Sequence, residues 1–383
     1  MKKQTKIISL IAILMLIIIA IFAVKSANSD GAKYTQTKRG KNAKISEKAK
    51  LPKAVTTALV ADTMYPANMP IEHIFFHPLV AYPKKAFDGD RISRGMDDYM
   101  ATTTEFKRIL DELYKNDYIL VDIEKVYERI LDENSGKYVV RRAELKLPSG
   151  KKPFIISLDD MNYYPYMIEN GCVHKLVVGE GNRIATYTKH DDGSESIDYD
   201  NEVIPILDNF VAEHPDFSLN GAKGCVGLTG FEGVLGYRTQ SGSENRDAEI
   251  KQAKEVIKVL KDTGWTFASH SYGHPDMAKI TYEKFKYDTD KWKAEVEPLI
   301  GKTKVLLYPY GAGVPHASPK MDYLMQRGGF YVFCGVGIRH YERVYSDAVI
   351  ADRKNIDGLT LRNRHREMLH MFDTSKVIDL SAR

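Results

Sequence analysis

From residue 71 into the last third of the chain, short apolar runs alternate with amphipathic stretches, and this alternation constrains the fold more than any other feature. Residues 74–76 read as a strand ending at His77. Thr102 and Glu105 have the spacing of a capping box, opening a helix with Phe106, Ile109, Leu110 and Leu113 on one face. Strands are expected at 118–121 and 154–158, the second running into Asp159-Asp160. A polar stretch, 164–200, shows no period and reads as an insertion. Beyond it come a helix at 203–211, a strand at 225–228, and a helix marked by Ile250, Ala253, Ile257 and Leu260. A strand at 265–268, a helix holding Phe285, Trp292 and Val296, and a strand at 305–307 follow, then a helix–strand pair at 321–325 and 331–333. Repeated β-α units imply a parallel sheet, here expected to close into a distorted (β/α) barrel.

The front of the chain is of another kind. Lys2, Lys3 and Lys6 precede an uncharged apolar run over 7–24, about the length that a bilayer core requires. The reading is a membrane anchor with the body outside the cell, single-pass; a cleaved signal segment, exiting at Ser26-Ala27 and giving a secreted protein, is the alternative. Residues 25–53 carry nine Lys or Arg against Asp30 and Glu47, a net +7. Residues 25–69 are therefore read as a basic, solvated tether, and 70–383 as the catalytic domain. Setting the +7 and the three early lysines against the chain total of +4 leaves −6 for residues 54–383. A mildly acidic body is a poor binder of phosphate backbones, so nucleic acid is not an expected partner. Three cysteines, with no close pair, give neither a disulfide framework nor a thiolate metal site.

Three short motifs each fall just after an expected strand, where α/β barrels place their chemistry. In Asp159-Asp160, environment can divide two adjacent carboxylates, one toward a cation and one free to take a proton; the same pair also serves as a turn or helix cap. His270 and His274, at i and i+4, would share one face of a helical turn and ligate one metal. Pro309-Tyr310-Gly311 is either an ordinary turn or one that aims a backbone N–H into a pocket. Two histidines and one carboxylate leave a coordination position open for water, the catalytic rather than the structural arrangement.

In the order and spacing of these motifs the chain resembles the polysaccharide deacetylase (NodB-homology) family of carbohydrate esterases, over about residues 71–370. The resemblance implies Asp159 as general base, Asp160, His270 and His274 as ligands of a divalent metal, zinc first, and Pro309 and Tyr310 as substrate-binding, with the Tyr310 N–H as oxyanion donor. The implied reaction is removal of N-acetyl groups from an extracellular or cell-wall polysaccharide. An O-acetyl esterase acting on a plant or surface glycan, or a degenerate carbohydrate-binding surface protein, are the alternatives. Two positions depart from the family pattern. Its motif arginine falls at Leu307, which leaves Arg353 as a candidate to orient Asp159. Its late Leu-x-His, source of the catalytic acid, is echoed only by Leu369-His370, which also reads as an exposed helix end.

Overall fold

The computed structural model of the chain describes residues 44–45 and 60–383; the apolar run at 7–24 and most of the 25–69 tether lie outside these. Seven parallel strands close on themselves: β1 (Glu72–Phe76), β2 (Lys152–Leu158), β3 (Cys225–Leu228), β4 (Thr266–Ser269), β5 (Val305–Leu307), β6 (Val332–Val336) and β7 (Val349–Asn355). Each pairs with the next in chain order, and β7 returns to β1, pairing Lys354 with Ile74 and Asn355 with Phe75. The distortion lies at β2. Its last residues, Ser157 and Leu158, pair with Cys225 and Val226, whereas its first half pairs with an extra strand, Tyr118–Leu120.

Strand alternation sorts the core into two shells. Phe154, Ile156 and Leu158 of β2 point outward, into a large cluster with helices α1 (Thr103–Lys115), α2 (Val203–Glu213), α3 (Arg246–Asp262) and α4 (Tyr282–Glu295). Ile155 points inward, sharing a second cluster with Cys225, Ala268, Val305, Leu307, Val332, Cys334, Val349 and Ala351. A hairpin, Tyr127–Asp132 with Lys137–Arg142, contributes Tyr127 and Val140 to that inner cluster. Lys304, just before β5, donates to the Glu124 and Tyr127 carbonyls, which places the hairpin at the strands' N-terminal end.

The capping box forms as the sequence indicates: the Thr102 hydroxyl accepts from the Glu105 N–H, and the Glu105 carboxylate accepts from the Thr102 N–H. Two regions differ from the sequence reading. Residues 164–200 hold regular structure, an antiparallel sheet of Lys175–Val178, Ile184–Lys189 and Glu195–Asp198 that packs on α2 and α3. Its buried side chains, among them Thr186 and Thr188, are polar enough to mask the period of two. Strand β7 was not expected either, because Asp352, Arg353 and Lys354 interrupt its apolar character. Among the described residues no helix is long and apolar enough to cross a membrane.

Candidate metal centre and active site

Six side chains from four strands meet at the strands' C-terminal ends: Asp159, Asp160, His270, His274, Tyr310 and Arg353. Asp159 follows β2, and its N–H donates to the Phe76 carbonyl at 2.9 Å, extending the β1–β2 ladder by one residue. Consecutive strand residues point to opposite faces, so two adjacent carboxylates would ordinarily part. Asp160 escapes this by adopting a left-handed backbone, φ 58°, and both carboxylates stay at the barrel mouth. Room for Asp159 comes from Gly227, where a Cβ would lie 2.8 Å from Leu307 and 3.3 Å from the Asp159 carboxylate.

Arg353, fully buried, reaches Asp159 from β7. Its Nη1 and Nη2 donate to Oδ1 and Oδ2 at 2.7 and 2.9 Å, a two-pronged pair. Leu307, at the position of the family's arginine, lies in the inner apolar cluster. The guanidinium stacks over Phe75, 4.2 Å from the ring centre, and Nη1 also donates to the Ser157 hydroxyl at 3.1 Å. The Ser157 hydroxyl also lies 2.9 Å from His73 Nε2. Burial, with Arg353 adding, pushes the His73 pKa well down. Burial by itself would raise the Asp159 carboxyl; Arg353, with His270 and His77 adding, holds it well below the ordinary carboxylate range.

His270 follows β4. Its Nδ1 lies 2.8 Å from the Leu307 carbonyl, and a carbonyl only accepts, so Nδ1 carries the proton and Nε2 presents its lone pair. Burial lowers the His270 pKa against the pull of Asp159 and Asp160. The two histidines converge, though not along a helical turn as the i, i+4 spacing suggests. Ser271 and His274 are both left-handed, at φ 61° and 53°, and the chain folds back in a loop. Buried Asp288 of α4 fixes that loop, accepting from the Tyr272 and Gly273 N–H groups at 2.8 and 2.7 Å. Sequence reading missed Asp288, because nothing in a helix interior marks a carboxylate aimed at a distant loop.

Asp160, His270 and His274 each place a ligating atom within 4.8 Å of the other two. His274 Nε2 lies 3.6 Å from Asp160 Oδ2, and His270 Nε2 lies 3.9 Å from Asp160 Oδ1. Ligands about 2.1 Å from a tetrahedral centre are ~3.4 Å apart, so modest tightening suits the set to a divalent cation. Two imidazoles and a carboxylate match zinc in donor type. Asp159 Oδ2 lies 3.8 Å from His270 Nε2, beside the cluster yet committed to Arg353. Tyr310 is left-handed at φ 56° and half exposed, with its ring centre 4.5 Å from that of His274. The Pro309–Gly311 turn requires its glycine, since a Cβ at Gly311 would lie 2.6 Å from Val336 Cβ.

His370 does not join the site. It bonds Glu72, at the opposite end of β1, at 3.0 Å. Glu72 shares the outward parity of Ile74 and Phe76, and β1 from 72 to 77 spans about 16 Å. His77 stands at the right end of that strand instead, with the inward parity of His73 and Phe75. Its Nδ1 is buried without a hydrogen-bond partner among the described residues, and a positive charge there would act on Asp159 and on buried Asp357. The inward parity of a histidine closing an apolar strand was the signal available in the sequence.

Comparison with known proteins bears on this arrangement. The polysaccharide deacetylase family profile matches residues 241–330, a segment that contains His270, His274 and the Pro309–Gly311 turn but not Asp159-Asp160. No curated protein matches the chain in sequence. Among solved structures it is similar to the Streptococcus pyogenes deacetylase PplD in complex with acetate, at 15% identity and TM-score 0.41, over 76% of this chain and 93% of that one. It is also similar to IcaB from Ammonifex degensii, at 14% identity and TM-score 0.39, over 76% and 93%. A polysaccharide deacetylase from Bacillus cereus aligns at 13% identity and TM-score 0.40, over 75% and 65%.

Proposed function

From the match of residues 241–330 to the polysaccharide deacetylase family profile, we propose that the chain hydrolyses N-acetyl groups on an extracellular or cell-wall polysaccharide of N-acetylhexosamine units. The observation that carries the reading is the pairing of a three-residue metal set with a separate, arginine-held carboxylate, Asp159. A scaffold has no physical need of both. A divalent cation on Asp160, His270 and His274, zinc first by donor type, would supply Lewis-acid polarisation of the acetyl carbonyl and a more acidic water.

The chain's own residues do the rest. Asp159, kept ionised by Arg353, accepts a proton from the attacking water, whose oxygen bonds to the acyl carbon. The Tyr310 N–H donates to the carbonyl oxygen as its negative charge grows. His77, inward-facing beside Asp159, protonates the departing nitrogen as the C–N bond breaks. Acetate and a free amine result, and each deacetylated sugar gains a cationic group at neutral pH. For location, the apolar run at 7–24 supports a single-pass anchor that leaves the catalytic domain outside the cell.

Acetate release by the purified full-length chain from a panel of N-acetylated and O-acetylated glycans tests the reading. Release from N-acetylhexosamine polymers is expected, and His77→Ala should cut that rate by about 100-fold with zinc affinity unchanged. Release from O-acetyl esters alone would establish the esterase instead. No release from any member in the presence of zinc would leave the surface carbohydrate-binding reading.

A further inference from the structure

Tyr164 opens the segment that the sequence marks as an insertion, and no motif accounts for it. Its hydroxyl lies 3.0 Å from Asp160 Oδ1 and 2.6 Å from the Thr229 hydroxyl, just past β3. An ionised carboxylate has no proton to give, so the Tyr164 O–H donates to Asp160. The Thr229 hydroxyl must then donate to the Tyr164 oxygen, and the two bonds form one directed chain from Thr229 through Tyr164 to Asp160. Thr229 is itself anchored, its carbonyl accepting from the Asn162 side chain at 3.1 Å. Two aromatic rings stack against that of Tyr164. Phe231 stacks at 4.9 Å and 25°, and Tyr166 at 6.2 Å and 20°. The hydroxyl engages Asp160 Oδ1, 3.9 Å from His270 Nε2, and leaves Oδ2, 3.6 Å from His274 Nε2, without that bond.

We infer that Tyr164 is a positioning residue that makes Asp160 a one-oxygen ligand and holds its carboxylate ready for the cation. The inference rests on the reading that Asp160, His270 and His274 bind a divalent metal. Asp160 sits on a left-handed backbone at the end of a strand. Without the Tyr164 hydroxyl the carboxylate is free to rotate, and that freedom is lost again each time a cation binds. Supporting groups that orient a metal ligand are worth about 10–100-fold in affinity.

The test is zinc affinity, measured for the full-length chain by competition with a chromophoric chelator, alongside melting of the metal-free protein. Tyr164→Phe keeps the ring and its stacking and removes only the hydroxyl; it should bind zinc about 10–100-fold more weakly. Thr229→Val leaves the Tyr164–Asp160 bond in place and should weaken binding by a smaller factor. Wild-type zinc affinity in Tyr164→Phe, with or without a lower melting temperature, would overturn the inference and leave the hydroxyl a purely structural role. If Tyr164→Phe fails to fold, Thr229→Val decides alone, and unchanged affinity in it overturns the inference. A parent chain that binds no zinc would overturn the metal reading as well, an outcome distinct from a variant that binds as the parent does.

Discussion

Asp159 and Asp160 are neighbours in sequence with opposite surroundings, and the difference sets what each substitution should do. Asp160 faces two imidazoles and a tyrosine hydroxyl, Asp159 a guanidinium. Asp159→Asn should therefore keep zinc affinity near wild type while acetate release falls by roughly 100-fold or more, the scale of a lost general base. Asp160→Asn should lose zinc affinity, and activity with it. Equal zinc affinity and equal activity in the two variants would show that the carboxylates do not divide the work. Arg353 offers a stability test of the same pair. Removing it leaves Asp159 buried without a partner, which costs about 3–5 kcal/mol, so Arg353→Met should melt well below the parent. Adding Asp159→Asn to Arg353→Met removes the orphaned charge and should recover part of the loss. A double variant no more stable than Arg353→Met would show that the pair is not what Arg353 stabilises.

At the scale of elements, each functional group depends on a device at the end of a strand or helix. The left-handed Asp160 after β2, the left-handed loop after β4 and the glycine turn after β5 bring side chains together that regular geometry would separate. Glu202 plays the corresponding part at α2. It caps the helix while fully buried, accepting from Val203 N–H at 2.6 Å and from Leu79 N–H at 3.2 Å. Burial pushes its carboxyl up to about 8, against the pull of those two amides. The folded state thus holds the proton more tightly than the unfolded state does. Stability from this group is full below the ordinary carboxylate range and is lost as pH rises toward 8. Glu202→Gln, which cannot ionise, should match the parent near pH 4 and exceed it at pH 8 by on the order of 2 kcal/mol. Denaturant melts at the two pH values check this, and a constant difference between them would place the ionised form in the native state.

At the scale of the whole molecule, the apolar run at 7–24 and the basic stretch behind it predict that the full-length protein stays in the membrane fraction after a carbonate wash and is open to protease from outside. A soluble form beginning near Asn28 would mark the run as a cleaved signal segment instead. The barrel itself was legible in the sequence wherever strands are uniformly apolar: residues 225–228 and 305–307 coincide with β3 and β5, and the capping box opens α1. The Asp159–Asp160, His270–His274 and Pro309–Gly311 motifs were legible because short-range chemistry is written in contiguous letters. Strand β7 was hidden because the arginine it delivers to Asp159 and the lysine it delivers to Glu72 erase its apolar pattern. Sequence by itself determined the repeating β-α order, the candidate metal-ligand letters and their place at strand ends. Only the tertiary structure decided that Arg353 reaches Asp159, that His370 bonds Glu72 at the far end of β1, and that the Tyr164 hydroxyl reaches Asp160. Arg353 and Asp159 come from strands distant in the chain, and closing the barrel brings them within a hydrogen bond's length; Tyr164 and Asp160 are only four residues apart, but the left-handed backbone that joins their side chains has no signature in the letters.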